Sequence, residues 1–244
     1  MIGFVTWSPT RQAVRAGETT VLRMRFYGTP ILRGPKTAKL VLRRRAAAAA
    51  ERLQKLGITR AVFPVDFPHL ELFEKRGVLP VETGPLYRAL AAEWLRCALE
   101  EKGMAQAGAM AAVCGDRLSG ELVRTVTELC LRYRYVLLDV PGGAEELARQ
   151  LRREFGVSLL LNPGEERLAA ADAALLFAPR AERKNPVVLP LYDGAVRLPV
   201  ELTVPVLEDQ LPAGCQKDQL LAALLGAGLL RPAQIILSES GTAP

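Results

Sequence analysis

"AMAAVCGDRLSGELV", residues 109–123, sets an apolar run against a polar loop bounded by Gly115 and Gly120, then opens an amphipathic stretch. The run reads as a buried strand and the loop as a tight strand-to-helix turn. Beyond the loop, Leu122, Val123, Val126, Leu129, Cys130 and Tyr133 share one helical face. The rhythm then repeats. "YVLLDV" is a strand, Leu147, Leu151 and Phe155 mark a helix at i, i+4 and i+8, "VSLLLN" is a strand, "GEERLAAAD" a short helix and "AALLFAP" a fourth strand. Short apolar strands alternating with helices imply parallel pairing through right-handed crossovers, the doubly wound α/β arrangement.

In such sheets a ligand sits outside the carboxyl ends of the strands. Gly115 and Gly120 match the outer glycines of G-x-G-x-x-G, and Asp139 ends the second strand 24 residues after Gly115. The spacing suits the acid that bonds a ribose hydroxyl roughly 20 residues on. With "GAEELARQLRREFG" and "AADAALLF" following, the stretch 109–180 resembles NAD(P)-binding Rossmann-like domains of the shikimate dehydrogenase and glutamyl-tRNA reductase type. The resemblance implies NAD(P) as cofactor, with Gly115, Gly120 and Asp139 around it. The sequence departs from the pattern at its centre. Arg117 replaces the middle glycine, and Asp116 and Glu121 put two carboxylates where phosphate would approach the helix N-terminus, leaving the loop a net charge of −1. Two readings stay open. Either a dinucleotide binds in an unusual way, with Arg117 on phosphate and Asp139 on ribose, or a Rossmann-like scaffold has kept its turn without the cofactor. The loop also has P-loop spacing, but Glu121 and Leu122 stand where Lys and Ser or Thr are needed. "YVLLDVPGG" looks like the strand-end acid of MinD/ParA-type ATPases or of response regulators, without the partner motifs of either.

The first third alternates as well. "IGFVTW" and "TTVLRMRFYG" read as strands, and "GPKTAKLVLRRRAAAAAERLQKLG" as a long helix over about 35–56, with Pro35 in its first turn and Gly57 after its end. Strand, helix, strand and helix follow to Gly103. After Arg180 the pattern breaks into proline-punctuated segments, an amphipathic helix over about 217–228 and a last strand, "AQIIL". Three regions are expected: a smaller basic N-terminal α/β domain over 1–105, a Rossmann-like domain over 106–180, and a segment over 181–244 that packs back on the sheet.

Charge is uneven along the 244 residues. The chain's net charge is +6, but residues 1–60 hold 13 Lys and Arg against Glu18 and Glu51 alone, a net of +11. Arg33, Lys36, Lys39 and Arg43 form a candidate anion-binding group. The last three are spaced i, i+3, i+7 and the amides around Gly34 are close by. Such a basic helix is either a binding surface for an anionic partner or a solvated face. His69 is the only histidine; with Asp66 it makes a candidate acid–base pair, and Glu71 and Glu82 are near in sequence. Cys215 precedes a helix whose amides could lower a thiol's pKa, Cys114 and Cys130 fall on apolar faces, and Cys97 lies near Trp94. The four cysteines lack metal-site or disulfide spacing. No apolar run reaches the roughly 20 residues of a membrane span, so a cytoplasmic protein with no membrane partner is expected. The alternative to a nucleotide-binding function is a non-enzymatic binding or assembly protein. It would hold its partner through the basic segment and pair as a homo-oligomer through "LLAALLGAGLL".

Overall fold

Leu22 and Arg23 break the second expected strand into a hairpin. Both take left-handed backbone angles, φ 48° and 68°, and join β2 (Gly17–Val21) to β3 (Met24–Leu32) as an antiparallel pair. The computed structural model describes residues 1–10, 16–181, 183–192, 200–205, 211–212 and 214–239. The chain divides into two compact units, Met1–Thr83 with Val204–Ile236 and Gly84–Thr203 with Leu237–Pro244.

In the first unit, β1 (Ile2–Ser8) lies in the middle of a five-stranded sheet ordered β2-β3-β1-β4-β5, with β4 at Arg60–Val62 and β5 at Leu79–Pro80. All pairings but β2–β3 are parallel. Helix α1 runs Lys39–Lys55, four residues later than the sequence suggests. The amide of Gly34 donates to Thr37 Oγ1 and the amide of Thr37 to the Gly34 carbonyl, so Pro35–Thr37 close a turn instead of a helical start. Leu42, Ala46, Ala49, Ala50 and Leu53 make the buried stripe of α1. They pack with Val5, Ile31, Phe63 and Phe73, the last from α2 (Leu70–Glu74). Burying a leucine or phenylalanine there contributes about 1.5–3 kcal/mol each. Gly57 stands at φ 67° just past α1, as the sequence suggests. Helix α8 in this unit (Lys217–Gly226) is anchored by Gln219, whose side-chain oxygen accepts from the buried amide of Phe63 at 2.9 Å.

The second unit starts at Gly84, not near residue 106. The expected helix over 85–103 is two helices, α3 (Gly84–Ala89) and α4 (Ala91–Glu101). Both pack on α5 (Gly120–Arg132), and α4 also covers sheet strands, so they belong to this core. The strands are β6 (Met110–Cys114), β7 (Tyr135–Asp139), β8 (Leu159–Leu161), β9 (Ala173–Leu176) and β10 (Val187–Pro190), ordered β10-β9-β6-β7-β8 and parallel throughout. Renumbered within the unit this is 3-2-1-4-5, the doubly wound order. The fifth strand comes from the proline-punctuated region. Helix α6 (Ala144–Phe155) connects β7 to β8, and the short α7 (Glu165–Ala169) connects β8 to β9. Of the segment 181–244, expected to pack back on this sheet, the described residues between Val204 and Ile236 are instead part of the first unit. Val200–Thr203 and Ile236–Glu239 pair as a two-stranded sheet. The tail 240–244 lies outside the described residues.

Candidate functional site

The order of strands reverses between β6 and β9, where the chain leaves β6 toward β7 on one side and β9 continues to β10 on the other. Such a switch point opens a crevice at the carboxyl edge of the sheet, because the two outgoing connections diverge to opposite faces. Gly115, Arg117, Gly120 and Asp139 all lie along this edge: the first three between β6 and the first residue of α5, the last at the end of β7. The second unit is Rossmann-like.

Its glycines have different physical roles. A Cβ on Gly115 would stand 2.6 Å from Leu122 Cδ1, a fully buried side chain, so this glycine lets α5 close on the strand. A Cβ on Gly120 would meet nothing within 4 Å, which leaves open space at the start of the helix. Ser119 caps α5, its hydroxyl oxygen accepting from the Leu122 amide at 3.2 Å. A cavity of about 320 Å³ lies here, and Arg88, Asp116, Arg117, Ser119, Phe177 and Tyr192 are among its lining residues. Small-molecule pockets start at about this size.

Arg88 changes the charge reading of the loop. Its Nε donates to Glu121 Oε2 at 2.5 Å and its Nη1 to the Leu191 carbonyl at 3.1 Å. Glu121 thus faces a guanidinium, and Arg88 and Arg117 balance Asp116 and Glu121 around the cavity. The repulsion expected from the loop's sequence is offset by a residue 29 positions before Arg117. No local pattern in the sequence marks Arg88, since it reads as one more charge on a helix.

Asp139 is engaged as well. Arg180 Nη2 lies 3.0 Å from Asp139 Oδ2 and donates to the Gly115 carbonyl at 3.0 Å. One guanidinium thus bridges the ends of β6 and β7. Arg183, its side chain 9% exposed, pairs with Glu165 at 2.6 Å. Cys114 ends β6 beneath this group, and burial pushes its thiol pKa up against the lowering pull of Arg183 and Arg180. It is core, as its apolar setting suggests.

The other candidates fall elsewhere. His69 flanks α2 without capping it and meets Phe67 edge to face at 6.3 Å; among the described residues no hydrogen bond or ion pair joins it to Asp66. Asp66 is exposed at φ 51°, Glu71 lies in the first turn of α2, and Glu82 pairs with Arg60. Lys36 precedes α1, so it does not continue the helical face of Lys39 and Arg43, and the Gly34 amide is taken by Thr37. Arg33 stacks over Trp7 at 4.9 Å. Cys215 is buried, donates to the Pro212 carbonyl at 3.2 Å, and burial raises its thiol pKa, the reverse of helix-terminus activation. Cys130 is buried on α5, and Cys97 is half-buried on α4. Among the described residues no group of His, Cys, Asp and Glu is placed to hold a metal ion, and no helix is long and apolar enough to cross a membrane.

No protein-family profile and no curated protein matches the chain. Solved structures that are similar include L-tryptophan dehydrogenase from Nostoc punctiforme, at 15% identity and TM-score 0.29 over 72% of this chain and 55% of that one. Shikimate 5-dehydrogenase from Listeria monocytogenes, solved with shikimate and NAD, is 11% identical with TM-score 0.28 over 72% and 68% of the two chains. D-lactate dehydrogenase with NAD+ from Lactobacillus jensenii is 12% identical with TM-score 0.33 over 73% and 63%. The chain thus spans little more than half the length of the tryptophan dehydrogenase. The fold rests on the strand order and connections described above.

Proposed function

We propose that the second unit binds a nucleotide at the carboxyl edge of its sheet, with NAD(P) as the class of ligand. The observation that supports this is the cavity at the switch point, open in front of Gly120 and lined by Arg117 and Ser119. Arg117 would meet phosphate, helped by the amides at the start of α5. Asp139 would accept from a ribose hydroxyl once Arg180 leaves it. The residues fit the phosphate half of a dinucleotide as they stand, and the ribose half after one side chain turns. A bound nicotinamide would supply hydride transfer. This chain's residues bind and orient; none is assigned an acid–base role.

Thermal-shift titration of the full chain with NAD, NADP, FAD and ATP tests the reading. A ligand that binds only the native state raises its melting temperature by mass action. A saturable rise with NAD or NADP, lost in Asp139→Ala, is expected. The absence of a rise with all four ligands contradicts the proposal, and an undiminished rise in the variant removes Asp139 from the site.

A further inference from the structure

The start of α1 concentrates positive charge, and its first turn carries no acidic residue. Lys36, Lys39, Arg43 and Arg44 are exposed, and among the described residues none of their side chains makes an ion pair or hydrogen bond. Arg33, also exposed, extends the group. The two acids of residues 1–60 are paired with other bases, Glu51 with Lys55 and Glu18 with Arg25, while Arg45 ties α1 to the end of β3 through the Leu32 carbonyl. A helix N-terminus favours anions and disfavours cations.

Between the cations stand Leu40, 61% exposed, and Val41, 38% exposed. The buried stripe of α1 begins beside them at Leu42, so these two side chains project outward from a helix that is already packed. A phosphate backbone would be met by the cations but would give an aliphatic pair nothing to contact. An anionic bilayer surface meets both, its headgroups the Lys and Arg and its acyl boundary the Leu and Val.

We infer that this face of the first unit docks peripherally on an anionic lipid surface. The inference is independent of nucleotide binding by the second unit.

The test is cosedimentation of the full chain with vesicles of phosphatidylcholine alone and of phosphatidylcholine mixed with phosphatidylserine. Binding to the mixed vesicles that falls as salt rises, with no binding to phosphatidylcholine alone, is expected. Replacing Lys39→Gln and Arg43→Gln together should weaken it about thirtyfold, since each cation near such a surface is worth roughly a fivefold gain. Leu40→Ser should weaken it several-fold while leaving the melting temperature and far-UV circular dichroism unchanged. No binding to the mixed vesicles, or binding indifferent to Leu40→Ser, overturns the inference. So does preference for a DNA duplex over the mixed vesicles at equal phosphate.

Discussion

Arg180 holds Asp139: one guanidinium nitrogen lies 3.0 Å from the Asp139 carboxylate and donates to the Gly115 carbonyl just past the neighbouring strand. The strand-end acid that a ribose would use is therefore already engaged. Removing the guanidinium in Arg180→Gln should expose the acid and tighten NAD binding by up to about fivefold, the scale of a partly exposed ion pair worth 0.2–1 kcal/mol. Calorimetric titration checks it. Unchanged or weaker binding would show that Arg180 does not compete for Asp139.

The two loop glycines should separate cleanly. Gly115→Ala forces a Cβ to within 2.6 Å of buried Leu122 and should cost about 1–3 kcal/mol in a denaturant melt. Gly120→Ala meets open space and lies in α5, so it should be neutral or stabilise by up to about 1 kcal/mol. Equal destabilisation by both would contradict the different packing assigned to them.

Arg88 and Glu121 form the best-buried ion pair at the cavity, with side chains 13% and 33% exposed. Arg88→Ala leaves Glu121 without its charged partner and should destabilise by about 1–3 kcal/mol. It should also weaken binding of an anionic nucleotide, because the cavity loses a positive charge. The double variant Arg88→Ala/Glu121→Ala should recover part of the stability, and strict additivity of the single losses would argue against the pairing.

Burial raises the thiol pKa of Cys130 from 9.0 to about 11. Above the unfolded value the unfolded chain loses a proton that the folded chain keeps, so stability should fall as pH rises between about 9 and 11. Tyr133, pushed up from 10.0 to about 12 by burial, extends the decline at its upper end. Melting curves across this range should show a shallower fall for Cys130→Ala than for the unsubstituted chain. Parallel curves would mean that the thiol is better solvated than its position on α5 indicates.

The Rossmann-like sheet was legible in the sequence because each buried strand is a short apolar run and each helix has a single apolar stripe. Val187–Pro190 is harder to read, since Pro186 before it and Pro190 at its end disguise a strand that stands last in the sheet order, beside β9. The hairpin at Leu22–Arg23 has no glycine or asparagine to announce its left-handed angles. Helix α1 reads as starting four residues too early because Pro35 suits a helical first turn, while the Thr37 side chain that closes the earlier turn leaves no periodic signal. The site was half visible. Gly115, Gly120 and Asp139 follow a local spacing, whereas Arg88 and Arg180 reach the same edge from α3 and from beyond β9, contacts that only the fold creates. Exposure of Leu40 and Val41 was equally hidden, because they adjoin Leu42 in one apolar run.

Calorimetric titration of the full chain with NAD and NADP, run beside Gly120→Val, tests nucleotide binding at the switch point most directly. The substitution fills the open space before α5 without touching the core. A saturable isotherm for the unsubstituted chain with at least one of the two ligands, abolished in a variant that melts at the same temperature, is the predicted result. No heat of binding with either ligand, or an isotherm that Gly120→Val leaves unchanged, would contradict it.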